Sequence, residues 1–216
     1  PWRESGAKVI EIPEASSGGP DLLALEKALQ AENEAVIVVG AFSAMSNVTG
    51  IATDTDAVTS CLKRYGALAI WDFAGGAPYI EMEMGHGRYA KDAIVFSPHK
   101  FPGGPGASGV LVLRNDITQR NQPTQSGGGT VRFVSPWGHH YLENLVQREE
   151  AGTPNIIGDI RAALVMMIKS ALGQQWFDRR HTELRAQAVE AWKNARGLQL
   201  LGCLLYTSPS PRDVST

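Results

Sequence analysis

The chain has 216 residues, of which 43% are hydrophobic and 19% charged, so it is long and apolar enough to bury a core and is neither a disordered tail nor a fibrous repeat. Twenty Lys and Arg against 22 Asp and Glu lack the basic excess of a chain that neutralises phosphate backbones, which argues against nucleic acid as a partner. No apolar stretch is long enough to cross a bilayer, so no membrane association is expected. Two cysteines, Cys61 and Cys203, cannot build a disulfide framework and indicate a reducing compartment, which we take as the cytoplasm.

The two ends of the chain indicate a piece of a longer protein. The first residue is Pro1 rather than Met. Residues 203–216 break the preceding periodicity and cluster Ser and Pro. Within them, residues 203–213 match one translated frame of a transposon-type sequencing adapter. We therefore interpret 203–216 as a sequencing artefact or an unstructured tail, and we expect the protein sequence proper to break off near Gly202.

The amino-terminal part of the chain begins an alternation of strands and helices. Residues 7–12 alternate apolar and polar side chains, which is typical of a strand. Pro20 and Asp21 then open a helix with leucines at helical spacing. Residues 35–42 are a continuous apolar run, which predicts a strand covered on both faces in a parallel sheet. A polar loop over 46–50 follows.

The same alternation continues through the middle of the chain. A helix predicted over 55–65 ends at Gly66, and a buried strand is predicted over 67–71. Two further strands are predicted over 91–96 and 109–113. Strands that alternate with helices predict an α/β domain with a mostly parallel sheet flanked by helices.

The carboxy-terminal part, residues 155–196, is predicted to be helical. One apolar stripe runs along it at helical spacing, formed by Ile156, Ile160, Ala163, Leu164, Met167 and Ile168.

Polar side chains follow three of the predicted strands. Asn47 follows the strand over 35–42, Asp72 closes the next, and Ser97, His99 and Lys100 follow the third. Ligands of open α/β sheets bind outside the carboxyl ends of the strands. We therefore expect these five side chains to converge on one edge of the sheet.

The residue types at this edge are suited to carbonyl chemistry. Lys100, at the end of a buried strand, is expected to be partly desolvated, which frees its amine to attack a carbonyl. Asp72 is suited to hold the ring nitrogen of a pyridine cofactor protonated, and Ser97 and His99 offer donors to a phosphate. The spacing alone leaves other interpretations open: a solvated loop lysine, a turn-forming Asp72 and a turn at Asn47.

Five segments resemble, in the same order, the motifs of class V aminotransferases, a pyridoxal-phosphate-dependent family that includes cysteine desulfurases and selenocysteine lyases. SPHK followed by FPGGPGASGVLV resembles the lysine motif of the family. SNVTG resembles its Asn loop, WDFAGGAPY its strand-end Asp motif, SGGGT its glycine-rich phosphate loop, and REEAGTPN the turn before its long helix.

The resemblance implies an aminotransferase-like, fold type I large domain without the small domain. Residues 1–155 would form part of the pyridoxal-phosphate-binding domain, and residues 156–202 would form helices that lead toward the missing small domain. Parts of the active site would lie outside the chain on both sides, so we expect this piece to be inactive by itself.

The resemblance also implies roles for single residues. Lys100 would form the Schiff base with pyridoxal 5′-phosphate, and Asp72 would pair with the pyridine nitrogen. Asn47 would lie near the phenolic oxygen of the cofactor. Ser97 and His99 would bind the phosphate. The sequence departs from the family pattern at one position, because many relatives carry Gln three residues after the Asp and this chain has Gly75.

A sixth role concerns a second subunit. Thr130 would reach the phosphate held by the other subunit of a homodimer with a shared active site. The substrate would be an amino acid, and the resemblance leaves transamination and desulfuration or elimination open.

Two other classes of protein are weighed against this interpretation. A non-catalytic homologue would keep the fold for an interaction or regulatory role, and a nucleotide-binding domain would bind nucleotide without a carbonyl adduct at Lys100. No metal site is expected, because no Cys or carboxylate falls at ligand spacing with His86, His139 or His140. Cys61 is expected to pack in a helix rather than to carry sulfur.

Overall fold

A four-stranded sheet is the centre of the fold in the computed structural model, which describes residues 2–32, 34–118, 120–195 and 197. Its strands lie in chain order across the sheet: β1 (Val39–Ser43), β2 (Leu68–Asp72), β3 (Ala93–Phe96) and β4 (Val110–Leu113). β1 pairs in parallel with β2 and β2 with β3, whereas β4 pairs with β3 in antiparallel fashion. The predicted α/β fold with a mostly parallel sheet is confirmed.

Helices and a separate hairpin complete the described structure. The helices are α1 (Leu22–Ala31), α2 (Thr55–Arg64), α3 (Leu145–Glu149), α4 (Ile156–Leu172) and α5 (Gln174–Trp192). The antiparallel hairpin consists of β5 (Val131–Ser135) and β6 (Gly138–Tyr141). Short 3₁₀ turns lie at Arg3–Ser5, Gly87–Tyr89, Pro98–Lys100 and Asn115–Ile117. Within the described ranges, no helix is both long enough and apolar enough to span a membrane.

The helix ends follow from local sequence. Asp21 caps α1, because its Oδ1 accepts hydrogen bonds from the backbone N–H groups of Leu23 and Ala24 at 2.8 and 3.1 Å. Gly66 ends α2 with φ of 69°, a left-handed conformation that glycine adopts without strain. Gly173, with φ of 75°, divides the helical stretch predicted over 155–196 into α4 and α5.

The core lies between α1, α2 and the sheet. Trp71 of β2 is fully buried, and its indole N–H donates to the Thr59 hydroxyl of α2 at 2.9 Å. Gly40 lets α2 approach β1, because a Cβ at this position would lie 2.5 Å from the methyl groups of Leu62. α4 joins the same core through Val165, which packs with Phe101 of the loop after β3.

Two predictions about the extent of strands were wrong. Residues 7–12 form no strand, because none of the described strands lies beside them. The strand predicted over 35–42 begins only at Val39, and Val36, which lies outside the sheet, is 98% exposed. The apolar stripe of α4 is largely exposed. The helix instead buries the opposite side, represented by Gly158, Ala162 and Val165.

The division into residues 1–155 and 156–202 stays a prediction. Arg196, the residues from 198 to 202, and the segment 203–216, interpreted above as an artefact or tail, lie outside the described residues.

Candidate active site

The carboxyl ends of the three parallel strands lie side by side. Ser43 at the end of β1 pairs with Asp72 at the end of β2, and Asp72 pairs with Val95 near the end of β3. The loops that follow these strands therefore leave the same edge of the sheet. This register brings the predicted site residues Asn47, Asp72, Ser97, His99 and Lys100 onto loops at one edge.

Asp72 is exposed at the end of β2, and its backbone is held from both sides. Its carbonyl oxygen accepts a hydrogen bond from the Ala44 N–H at 2.8 Å, at the start of the Asn47 loop. Its carboxylate Oδ1 accepts from the Ala74 N–H at 2.6 Å. No described residue donates to its second carboxylate oxygen, so this oxygen is available to an external donor.

Asn47 lies at the exposed tip of a closed loop. Ser46 closes the loop through hydrogen bonds with Ile51 and Gly50, and its hydroxyl accepts from the Thr49 N–H at 3.1 Å. Gly75 lies against this tip, because a Cβ added there would be 3.7 Å from the Asn47 Cβ. The position where this sequence departs from the family pattern is therefore a neighbour of Asn47.

Lys100 ends a tight turn whose other residues are anchored. Pro98 and Phe101 are buried on either side of the exposed His99 and Lys100. The Lys100 N–H donates to the Ser97 carbonyl at 3.0 Å. Ser97 itself is half-buried.

The glycine-rich segment that follows fixes this turn. A Cβ at Gly104 would lie only 2.0 Å from the Pro98 carbonyl oxygen, so glycine alone fits there. The prediction that Lys100 is partly desolvated was wrong for this structure, because no described residue covers this edge of the sheet and the side chain is exposed. Lys100 is positioned by its neighbours without being enclosed by them.

Thr130 lies in the glycine-rich loop before β5 and is fully buried. Its hydroxyl donates to the Gly127 carbonyl at 2.7 Å, and its carbonyl accepts from the Leu142 N–H at 3.0 Å. Gly152 donates to the Gly128 carbonyl at 2.8 Å, so the SGGGT loop and the turn before α4 are joined. In the described residues Thr130 makes no hydrogen bond with the five residues above, and its role toward a second subunit stays a prediction.

Lys169 is a residue that the sequence reasoning missed. Its ammonium group donates to the carbonyls of Ala77 and Ile80, both at 2.6 Å, in the segment after Asp72. Burial lowers the pKa of Lys169 to about 8, against the opposing effect of Glu81 and Asp178. The available signal was spacing, because Lys169 lies seven residues after Ala162 and four after Val165, on the buried face of α4.

The remaining candidate groups are Cys61 and the histidines. Cys61 is buried in α2 within the core, as expected for a packing cysteine. His139 and His140 are exposed on β6. Across the part of the chain that the structure describes, no three His, Cys, Asp or Glu side chains are grouped so that they could hold a metal ion.

Comparison with solved structures gives the class of the fold. The apo cysteine desulfurase from Thermococcus onnurineus NA1 superimposes with a TM-score of 0.73 at 26% identity, over 89% of this chain and 48% of that one. The cysteine desulfurase CsdA from Escherichia coli has the same fold, with a TM-score of 0.74 at 24% identity over 89% of this chain and 46% of that one. The chain therefore has the expected aminotransferase-like, fold type I large-domain architecture.

Comparison of sequences gives the family. The profile described as "Aminotransferase class-V" matches residues 2–210, and the chain belongs to the class V aminotransferase family. A "Probable cysteine desulfurase" from Aeropyrum pernix is 30% identical over 97% of this chain and 50% of its own length. A "Probable cysteine desulfurase 2" from Mycobacterium leprae is 31% identical over 94% of this chain and 47% of its own. The chain spans about half the length of these relatives.

Proposed function

We propose that this chain supplies cofactor-binding and catalytic residues to an enzyme that uses pyridoxal 5′-phosphate to act on an amino acid. The class V family depends on this cofactor, and the relatives named above are cysteine desulfurases. The observation that carries the proposal is the edge formed by β1, β2 and β3. There, Asp72 and Lys100 lie exposed on neighbouring strand ends, and neither has an ion-pair partner in the described residues.

The donors and acceptors at this edge fit the chemistry of the cofactor. The cofactor carries an aldehyde, a pyridine nitrogen and a phosphate, which call for an amine, a carboxylate and hydrogen-bond donors. Lys100 offers the amine, and the second oxygen of Asp72 is open to a protonated nitrogen. Ser97 and His99 flank the buried Pro98 and offer donors to the phosphate.

Each residue has a defined task in this proposal. Lys100 would hold the cofactor through its aldehyde carbon, and once the substrate amine has displaced it, the freed Nζ would take the proton from the α carbon of the substrate. Asp72 would keep a proton on the pyridine nitrogen. Asn47 would lie near the phenolic oxygen, and Ser97 and His99 would bind the phosphate. The bound cofactor supplies an electron sink for the charge that develops at the α carbon.

Thr130 belongs to the dimeric part of the proposal. Two subunits would share each active site, and the SGGGT loop of one would approach the phosphate held by the other. Because the Thr130 side chain is buried and bonded to Gly127, this approach requires the loop to open its hydroxyl or to use backbone N–H groups. Loss of cofactor affinity on dilution of the protein to monomer would support this arrangement.

The names of the relatives favour lyase chemistry over transamination. In desulfuration, a thiol accepts the sulfur released from cysteine. Cys61 is 4% exposed in the core, so the acceptor thiol is not this residue. Incubation with cysteine, a reductant and a 2-oxo acid separates the reactions: sulfide release indicates lyase chemistry, and transfer of the amino group to the 2-oxo acid indicates transamination.

The proposal is tested by cofactor binding to the full-length protein. Wild type mixed with pyridoxal 5′-phosphate should develop the visible absorbance of a lysine-bound cofactor, and Lys100→Ala should not. Lys27→Ala, which removes an exposed lysine of α1, is the control and should match wild type. A band that survives in Lys100→Ala, or that is missing in wild type, overturns the proposal. A band without turnover of any amino acid favours a non-catalytic homologue.

A further inference from the structure

Lys169 links the two loops that carry the proposed site. Its Nζ donates to the Ala77 and Ile80 carbonyls at 2.6 Å each, in the segment that continues from Asp72. The same Nζ lies 5.8 Å from the ring centroid of Phe101, the residue directly after Lys100. An ammonium group over an aromatic ring at this distance is attracted by it.

Hydrogen bonds make the segment after Asp72 compact, so fixing Ala77 and Ile80 also restricts the start of the segment, next to Asp72. The Ala77 N–H donates to the Phe73 carbonyl at 2.7 Å, and the Ile80 N–H donates to the Gly76 carbonyl at 2.9 Å. Both carbonyl acceptors of Lys169 therefore belong to a chain of turns that starts one residue after Asp72.

The loop after Lys100 is held by α4 at other points as well. The Arg161 guanidinium donates to the Pro105 carbonyl at 3.1 Å, and the Ser108 N–H donates to the Gly158 carbonyl at 3.1 Å. α4 is thus the support of the Lys100 loop, and Lys169 is the residue on α4 that reaches both loops.

Partial burial of a charged amine costs desolvation free energy, which suggests that this ammonium group has a specific structural role. Burial lowers the pKa of Lys169, and of the charged groups nearby Glu81 and Asp178 act in the opposite direction. His181 also faces this region, through its contact with Phe177, whose ring centroid lies 6.0 Å from the Lys169 Nζ. A methionine would fill similar space without that cost, but it cannot donate to two carbonyls.

We propose that Lys169 is a positioning residue that sets the distance between the Asp72 carboxylate and the Lys100 amine by holding both loops on α4. This inference rests on the proposed function of Asp72 and Lys100. In this role Lys169 would act without touching substrate or cofactor. Its effect reaches the site through the position of the carboxylate relative to the pyridine nitrogen.

The test compares Lys169→Met with Lys91→Met and Lys169→Arg in the full-length protein. Lys91 is the control, because it is also a lysine shielded from solvent, more deeply than the half-buried Lys169, but it precedes β3 at the amino end of the sheet and pairs with Asp56. The first readout is hydrogen exchange without cofactor. Lys169→Met should exchange the amides of Ala77, Tyr79 and Ile80 about tenfold faster, whereas Lys91→Met should leave them unchanged.

The second readout is the pH midpoint of the absorbance change of the bound cofactor. Lys169→Met should shift this midpoint by about half a pH unit or more while borohydride still labels Lys100, and Lys169→Arg should restore it in part. The inference is overturned if Lys169→Met has the same exchange rates and pH midpoint as wild type. It is also overturned if Lys91→Met changes them as much as Lys169→Met does. If borohydride leaves no cofactor on Lys100 in wild type, the proposed function is overturned instead. The hydrogen-exchange comparison still tests whether Lys169 anchors the segment after Asp72.

Discussion

The charged groups at the two ends of the central sheet differ in burial and in pairing. At the amino end, Lys91 and Asp92 are buried and satisfied within the chain: Lys91 pairs with Asp56, and Asp92 binds Lys63 and accepts from the Ala69 N–H at 2.6 Å. At the carboxyl end, the charged groups of the site, Asp72 and Lys100, are exposed. Charges that are buried and paired hold a fold together, whereas exposed charges at strand ends are available to a ligand.

Substitutions of Lys100 and Lys91 are expected to give the largest contrast between loss of turnover and loss of stability. Lys100→Ala should lower turnover by about 10²–10⁴-fold, because it removes both the covalent anchor and the base, and should change the unfolding free energy by less than about 0.5 kcal/mol. Lys91→Ala should cost about 1–3 kcal/mol of stability, because it removes a buried ammonium group that pairs with the half-exposed Asp56, and should leave turnover near wild type at temperatures where the protein is folded. Steady-state kinetics and urea unfolding of both variants measure this. Equal loss of activity in both would contradict the contrast.

The two aspartates should repeat the pattern on a smaller scale. Asp72→Ala should reduce turnover by about 10²-fold, because the pyridine nitrogen loses its partner, with little effect on unfolding. Asp92→Ala should cost about 2–3 kcal/mol, because the Ala69 N–H and Lys63 lose a buried acceptor. Thermal unfolding with the kinetics of each variant tests this. Strong destabilisation by Asp72→Ala would show that this carboxylate serves the fold.

Lys169 is a half-buried charge at the carboxyl end, and its pH dependence sharpens the comparison. Burial lowers the pKa of Lys169 from 10.5 to about 8. Between these values the unfolded chain binds a proton that the folded chain lacks, so the contribution of this group to stability rises with pH in this window. The unfolding free energy of wild type minus that of Lys169→Met should therefore increase by about 1 kcal/mol from pH 8 to pH 10, since partial exposure screens the effect. A difference that stays constant or falls contradicts this assignment.

Gly75 gives the smallest expected effect. Space exists for a side chain there, because a Cβ would lie 3.4 Å from the Met45 carbonyl oxygen and 3.7 Å from the Asn47 Cβ. Gly75→Gln would restore the residue type that many relatives carry and add one hydrogen-bond donor beside Asn47. We expect cofactor affinity to rise about 2–10-fold, with stability within about 1 kcal/mol. Fluorescence titration with cofactor measures this, with Gly75→Ala as the control, and weaker binding in Gly75→Gln would refute it.

The elements and the strand-end residues could be predicted because their signals are local. Caps such as Asp21, stops such as Gly66, and the polar residue that closes a buried strand lie next to one another in sequence. The fold class and the common edge of Asn47, Asp72 and Lys100 follow from that local order together with the rule for parallel strands. The five motifs, which occur in the order typical of class V aminotransferases, also allowed the family to be predicted.

The failed predictions depend on neighbours that sequence alone does not supply. Residues 7–12 have the alternating pattern of a strand, but no described strand lies beside them. Residues 35–38 have the pattern of a buried strand but stay outside the sheet, although the Val38 carbonyl accepts from the Leu68 N–H of β2 at 2.9 Å. Desolvation of Lys100 requires a surface that covers it, and no described residue provides one, so its side chain is exposed. Lys169 was missed because its acceptors, Ala77 and Ile80, lie about 90 residues away in sequence.

Borohydride reduction of the cofactor-loaded, full-length protein, followed by peptide mapping, tests the central claim most directly. The account predicts that the reduced cofactor is attached to the peptide that contains Lys100 and to no other lysine. Attachment to a different amine, or no attachment in wild type, would contradict it.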